Sequence, residues 1–148
     1  MATDPRTGGL RITLFTAEQA TQLARELTPL MQTLVDAKRD LDRLDTRAAA
    51  LRIALAGASA ENPDAFELAS LMEQRRAIAA RVGEGVAQVH RQGILVKDLD
   101  RGLLDFYALR GDRLVFLCWV LGESAVAHWH TLEAGFAGRQ PLDPSESE

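Results

Sequence analysis

An unbroken heptad repeat over residues 23–55 constrains the fold of this chain more than any other feature of its sequence. Apolar residues recur there in steps that alternate between four and three. A mean spacing of about 3.5 residues keeps one narrow apolar stripe of an α-helix against a partner helix. One seam position holds Leu23, Leu30, Ala37, Leu44 and Leu51, and the other holds Leu27, Leu34, Leu41, Ala48 and Leu55.

The seam predicts a first helix over residues 17–56. Thr16 has the character of an N-cap, because its hydroxyl can accept from the amide of Gln19, whose side chain can reach back. Pro29 lies inside this helix and off the seam. It indicates either a kink or a new helix that Thr28 caps, and the unbroken register favours the kink.

A second amphipathic helix is predicted over residues 63–91, with Asn62 as its N-cap. Arg75 interrupts its apolar face, and two glycines near its end each cost about 1 kcal/mol relative to Ala. The short connection between the helices predicts that they lie antiparallel. The apolar face consists of Leu68, Met72, Ala79, Val82, Val86 and Val89.

After Gly93 the apolar period changes to two, which is typical of strands. Regular turn signals separate the strands and predict an antiparallel meander. The segment 114–120 is apolar on both faces and is therefore predicted to be a central, covered strand. The predicted strands are 94–98, 103–107, 114–120 and 125–130, with a further short strand from Leu10 to Phe15.

The sequence therefore predicts an α+β fold. A long antiparallel helical hairpin, coiled-coil-like and spanning residues 16–92, carries a small antiparallel β-meander formed by residues 93–142 and the short N-terminal strand. We expect residues 10–142 to form a single domain. Residues 1–9 are predicted to be a disordered N-terminus and residues 143–148 a disordered acidic tail.

Composition and charge exclude several classes of partner. The chain has 148 residues, 17 basic and 21 acidic side chains and no basic run, which argues against nucleic acid. No signal peptide is predicted, because residues 1–15 lack a basic region followed by a long apolar run. The longest apolar run, Leu114 to Leu121, is too short to cross a membrane. The single cysteine, Cys118, forms no internal disulfide, so a cytoplasmic protein is predicted.

His128 and His130 are the first candidates for a metal site. They are two apart in a predicted strand and so point to the same face. Two imidazoles can bind a divalent transition metal when a third ligand joins them. Acidic residues nearby in sequence are Asp98, Asp100, Asp105 and Glu123. The alternative is that one histidine forms a local hydrogen bond while the other is solvated.

Three further motifs have a plainer interpretation. The segment 98–102 resembles the start of a calcium loop, but Leu109 stands where the bidentate Glu belongs, which favours an Asp-rich turn. Cys118 lies among apolar residues and is predicted to be an inert core residue. The alternative is a nucleophilic thiol paired with His128 or His130, but such a thiol has to be exposed, which its apolar neighbours do not suggest. The segment 135–139 could bind an anion, but a plain turn is favoured.

Several motifs together resemble an uncharacterised bacterial family, domain of unknown function 2203. They are KDLDRGLLDF (97–106), LCWVLGE (117–123) and HWHTLEAGFAGRQPL (128–142). The segment 15–20 is similar to the family's FT-x-EEA and departs only at Gln19. The resemblance spans residues 15–142 and implies no known activity.

The resemblance implies that the polar residues of these motifs form one site. The histidine of the family's Trp-His pair corresponds to His130, whereas His128 lies outside the motif. The implied ligand-binding residues are Lys97, Asp98, Asp100, Asp105, Glu123 and Arg139. The candidate metal ligands are His130, His128, Asp98 and Asp100, and the candidate cofactor is a divalent transition metal.

Two functions follow from these observations. The first is a non-enzymatic interaction or assembly module that uses the helical hairpin, and the heptads favour it. The second is a metal- or small-ligand-binding protein with its site in the β segment. Its site would consist of His130 and several of Asp98, Asp100, Asp105, Glu123 and Cys118. We also expect a homodimer, because the distal end of the hairpin around Leu51, Leu55 and Phe66 lies beyond reach of the β segment. No reaction or substrate is predicted.

Overall fold

The computed structural model describes residues 11–57 and 61–143 and has two helices followed by one sheet. The helices are α1 (Ala17–Ala54) and α2 (Pro63–His90). The strands are β1 (Ile94–Asp98), β2 (Leu103–Arg110), β3 (Arg113–Val120), β4 (His128–Thr131) and β5 (Gln140–Pro141). The predicted α+β fold is confirmed. The predicted disordered N-terminus at 1–9, residues 144–148 of the predicted disordered tail 143–148, and residues 58–60 of the predicted connection between the helices lie outside the described residues.

The helix ends follow from local capping. At the start of α1 the Gln19 amide donates to the Thr16 hydroxyl at 3.1 Å, and the Thr16 amide donates to the Gln19 side chain at 2.9 Å. This is the predicted capping box. Asn62 caps α2 by accepting from the amide of Asp64 at 2.9 Å. Both helices end within two residues of the predicted positions.

The α1 helix runs without interruption through Pro29, which excludes a new helix starting there. Two threonine hydroxyls bond back to the preceding turn around the proline. Thr28 donates to the Ala24 carbonyl at 2.8 Å, and Thr33 donates to the Pro29 carbonyl at 3.1 Å. These extra donors flank the place where the proline amide hydrogen is missing.

The buried face of α1 is wider than the predicted seam in the half that lies near the sheet. Leu23 and Leu30 are only half-buried there, whereas Ala24 and Met31 are fully buried. This half packs in one core cluster with strand residues as well as with α2, so it needs apolar residues on two sides. The second seam position is buried as predicted at Leu27, Leu34, Leu41 and Ala48 and half-buried at Leu55. The first seam position is half-buried also at Ala37 and Leu44.

Two features that interrupt the apolar face of α2 have structural roles. Arg75 meets an acidic residue of α1, since its Nε lies 2.5 Å from Asp45 Oδ1. Gly85 is buried, and a Cβ at that position would lie 2.5 Å from Leu34 Cδ2. A Cβ at Gly83 would meet nothing within 4 Å. Gly85 therefore permits close approach of the two helices, whereas Gly83 has no such role.

The sheet is an antiparallel meander in which the strands follow chain order, with β3 at its centre as predicted. Side chains alternate between its two faces. One face packs on the helices and carries Ile94, Leu104, Phe106, Leu117, Trp119 and Trp129. The opposite side, called the outer face below, carries Asp105, Phe116, Cys118, His128 and His130.

The predicted N-terminal strand is absent from the described part of the chain. Residues 11–16 make no strand pairing, and Leu10 lies outside the described residues. Phe15 still lies against the sheet: its amide donates to the Tyr107 carbonyl at 2.8 Å, and its ring meets Phe106 edge-on. The hydrogen bond from Phe15 helps dock the segment there without forming a ladder.

The fourth strand is shifted from its predicted range. It covers His128–Thr131 instead of residues 125–130. Val126 is outside the ladder because its amide donates to the hydroxyl of Thr21 on α1, at 3.0 Å. This contact ties the segment before β4 to the helix.

Candidate functional site

A buried polar cluster lies on the outer face of the sheet. Asp105 of β2, Cys118 of β3 and His130 of β4 have exposed fractions of 2%, 0% and 1%. One oxygen, sulfur or nitrogen atom from each residue lies within 4.8 Å of the other two. In the strand register Asp105 is opposite Cys118, and His130 is opposite Phe116. Three adjacent strands therefore bring the cluster together.

The hydrogen bonds of His130 determine which ring nitrogen faces the cluster. Its Nδ1 lies 2.7 Å from the Thr131 carbonyl oxygen, which can only accept, so Nδ1 carries a hydrogen. Its Nε2 faces both carboxylate oxygens of Asp105, at 3.1 and 3.2 Å. Histidine ligands of metals commonly donate their other N–H to a backbone carbonyl in this way.

Burial controls the ionisation of the cluster. Loss of solvation raises the pKa of the Asp105 carboxyl, and the neighbouring His130 and Lys97 oppose that rise. Burial, with the nearby Asp105 carboxylate, raises the pKa of the Cys118 thiol to about 12. Without a cation, the thiol therefore keeps its proton at neutral pH.

Aromatic side chains and a lysine lie beside the cluster on the outer face. The Phe116 ring contacts the His130 ring at a centroid distance of 5.5 Å and the Tyr107 ring at 4.7 Å. The Lys97 ammonium lies 4.8 Å from the centre of the Phe116 ring. Lys97, an implied ligand-binding residue, is thus next to the cluster and exposed to solvent.

Glu123 and Arg139 form an ion pair near the cluster. Arg139 Nη2 lies 3.0 and 3.1 Å from the two Glu123 oxygens and 3.4 Å from the Cys118 carbonyl oxygen. Glu123 also accepts from the Val120 amide at 2.8 Å. These contacts fasten the turn after β3 to the segment before β5, so both implied site residues have a structural role.

His128 has an unusual environment among the described residues. Its Nδ1 is buried and has no hydrogen-bond partner. The closest acidic oxygen, on Glu123, lies 3.8 Å away, beyond hydrogen-bond distance. His128 is not part of the group of atoms that lie within 4.8 Å of one another.

Asp98 and Asp100 lie apart from the cluster. The Asp98 carboxylate accepts from the amides of Asp100 and Arg101, at 2.8 and 3.4 Å, which is the turn chemistry expected of this segment. Asp100 pairs with Lys38 of α1 at 3.0 Å. The geometry therefore combines His130 with Asp105 and Cys118, and not with the two aspartates proposed from sequence.

The segment 135–139 forms a tight turn. Its 3-10 helix covers Phe136–Gly138, and the amides of Gly138 and Arg139 both donate to carbonyls within the turn, at 3.1 Å. These amides are therefore engaged, as in a plain turn. The Phe136 ring contacts two guanidinium groups, of Arg101 and Arg139, each 4.9 Å from the ring centre.

The fold and the cluster together define a small α+β protein in which a helical hairpin carries a meander with a buried Asp-Cys-His group. A family model described as Uncharacterized conserved protein (DUF2203) matches residues 13–142, and the chain belongs to this family. The resemblance in the sequence is thereby confirmed. No curated protein and no solved structure matches the chain. In the described part, neither helix is long and apolar enough to span a membrane.

Proposed function

We propose that this protein binds a divalent transition metal, with zinc as the best fit, through Asp105, Cys118 and His130. The observation that carries the proposal is the convergence of a carboxylate, a thiol and an imidazole within 4.8 Å on three adjacent strands. Strands of one sheet hold such groups more rigidly than loops do, which favours a preformed site.

The distance between two of the ligand atoms supports a tetrahedral metal. His130 Nε2 and Asp105 Oδ1 are 3.1 Å apart. Two ligands bound at about 2.0–2.1 Å in a tetrahedron are separated by about 3.3 Å. The pair is therefore close to the spacing that Zn²⁺ would require, and Nε2 is the ring nitrogen of His130 that would bind the ion.

The charges of the ligands also favour a divalent transition metal. A thiolate and a carboxylate together neutralise a divalent cation, and an imidazole adds no charge. This balance matters because unpaired charges are costly in a buried place. A mixture of sulfur, nitrogen and oxygen suits zinc better than calcium or magnesium, which prefer oxygen alone.

Metal reconstitution tests the proposal. The full chain is stripped with a chelator, titrated with Co²⁺ as a spectroscopic substitute for Zn²⁺, and analysed for bound metal. We expect one ion per chain and a thiolate-to-metal absorption band. The variants Cys118→Ala and His130→Ala should lose the band, whereas His90→Ala, which removes the third histidine of the chain, should keep it. Absence of stoichiometric metal in the wild-type protein would overturn the proposal.

We place the protein in the cytoplasm, where the thiol of the proposed metal site stays reduced. A second candidate function is assembly through the hairpin. The specific observation is that Ile53 and Phe66 are 79% and 67% exposed at the distal end of the hairpin. Ion pairs between Arg47 and Glu67 and between Asp45 and Arg75 link the two helices in this region. Gly85 of α2 lies against Leu34 of α1, and counting along both helices from this contact brings Ile53 and Phe66 to about the same height.

The proposed assembly is a homodimer in which the distal ends of two hairpins cover each other. Leu51 is buried within one chain and Leu55 is half-buried, so the proposed contact relies on Ile53 and Phe66. The sequence around Ile53 supports it, because Arg52 is the single charged residue between positions 48 and 57. A helix that is apolar on all sides is usually buried.

A further inference from the structure

We propose that His128 is the fourth ligand of the metal and closes the site against outside ligands. This inference rests on the proposed metal-binding function and adds which residue would complete the coordination of the metal. Asp105, Cys118 and His130 supply three ligands, which leaves one position of a tetrahedron open. The residue that takes this position decides whether the metal is enclosed or accessible.

The strand register places His128 beside the cluster. Its Cα is opposite that of Cys118, which in turn is opposite that of Asp105. The three side chains therefore form one row across three strands on the outer face. Directly opposite residues have Cβ atoms about 4.5–5.5 Å apart, a distance that an imidazole side chain spans. On this proposal, a change of side-chain rotamer brings the His128 imidazole towards the cluster.

The hydrogen bonding of His128 supports this role. Its Nδ1 is one of two side-chain atoms in the described residues that are buried without a hydrogen-bond partner. Glu123 does not satisfy it, because its Oε2 lies 3.8 Å from His128 Nδ1, beyond hydrogen-bond distance. A buried polar atom without a partner requires an explanation, and a bound ion would provide one.

The charge of the resulting site remains balanced. A neutral imidazole completes the tetrahedron without adding charge to the thiolate, the carboxylate and the divalent ion. Four protein ligands are typical of closed zinc sites, whereas three ligands and a water are typical of catalytic ones. With His128 bound, the metal would have no position for water or another small ligand.

Rescue with free imidazole tests the inference in the Co²⁺-loaded full chain. The wild-type spectrum should not respond to added imidazole. In His128→Gly, imidazole should enter the vacated position and shift the spectrum back towards that of the wild type. His128→Ala should weaken Co²⁺ binding by at least about tenfold. Even the loss of a residue that only hydrogen-bonds to a metal ligand commonly lowers metal affinity by about 10–100-fold. His90→Ala is the matched control and should bind as the wild type does.

The possible failures are distinguishable. No Co²⁺ binding by the wild-type protein overturns the proposed function and this inference together. Tight binding by the wild type and an unchanged affinity in His128→Ala overturn this inference alone, as does a wild-type spectrum that responds to imidazole. Because a glycine weakens a short strand, His128→Gln serves as a second variant. It keeps a side chain in β4, lacks the imidazole, and should also show the loss of affinity.

Discussion

At the scale of single residues, Cys118 shows how the surroundings of a side chain determine its chemistry. Its apolar neighbours in sequence predict an inert thiol, and it is indeed fully buried. The strand register adds what its neighbours in sequence do not show, because it places an acid directly opposite the thiol. Burial keeps the thiol protonated because an unpaired thiolate would be costly there. A thiolate at this position therefore needs a cation beside it.

The raised pKa of Cys118 predicts a specific loss of stability at high pH in the metal-free protein. The folded-state pKa of about 12 lies above the ordinary value of 9.0, so between these values the folded chain keeps a proton that the unfolded chain has lost. The free energy of unfolding therefore falls as pH rises through this window, by at most about 1.4 kcal/mol per pH unit.

Urea unfolding near pH 8 and near pH 10, with a chelator present, checks this prediction. Cys118→Ala removes the thiol, so it should lose less stability between the two conditions than the wild type. Other groups that titrate in this range are common to both proteins and cancel in the comparison. Equal losses in the two proteins would contradict the prediction.

At the scale of elements, the turns determine how much of the site was predictable. The two-residue turn at Gly111-Asp112 pairs Arg110 with Arg113, and counting back from this turn places Asp105 opposite Cys118. That part of the cluster was therefore available from sequence. The family resemblance implied that His130 shares a site with Asp105, but the strand pattern did not give their contact. The reason is that β4 begins later than this pattern predicts and follows the contact between Val126 and α1.

The two glycines of α2 give a matched test of helix packing. Gly83→Ala should stabilise the protein by about 0.5–1 kcal/mol, because alanine is the better helix former and has open space there. Gly85→Ala should destabilise it by about 1 kcal/mol, because the new methyl group displaces the buried Leu34. Thermal unfolding of the two variants measures the difference, and stabilisation by both would show that the helices are not in close contact at Gly85.

The seam of α1 gives a second test within one helix. Leu41→Asp should lower the free energy of unfolding by about 2–5 kcal/mol, because an unpaired charge enters a buried position. Leu44→Asp, at a half-buried position of the same helix, should cost less. An unchanged melting temperature for Leu41→Asp would mean that the seam does not pack against α2.

At the scale of the whole molecule, the hairpin is longer than the sheet requires. The 38 residues of α1 span about 57 Å at about 1.5 Å per residue. Sequence alone predicted the hairpin, since the heptads of α1, the apolar face of α2 and the short connection between them specify both helices and their contact. The sequence did not predict the wider buried face of α1 near the sheet. The heptad repeat describes packing against one partner helix, whereas Met31 is buried in a core that α1 shares with the strands.

The exposed distal end predicts self-association. Light scattering at micromolar concentration should give the mass of a dimer for the wild-type chain. The double variant Ile53→Ser, Phe66→Ser should give the mass of a monomer, because it removes the apolar contact. Leu132→Ser is the control, since Leu132 is also exposed but lies just after β4. A monomeric wild-type protein at this concentration would contradict the proposal.

The order of elements along the chain has a consequence for synthesis on the ribosome. In the part of the chain that the structure describes, both helices precede every strand, and the buried face of α1 at Ala24 and Met31 shares its core with those strands. Translation at about 5–20 residues per second needs about 2–8 s to proceed from α2 to the end of β4. During this interval the nascent hairpin presents an apolar face without its cover, so the timing of folding depends on the C-terminal half of the chain.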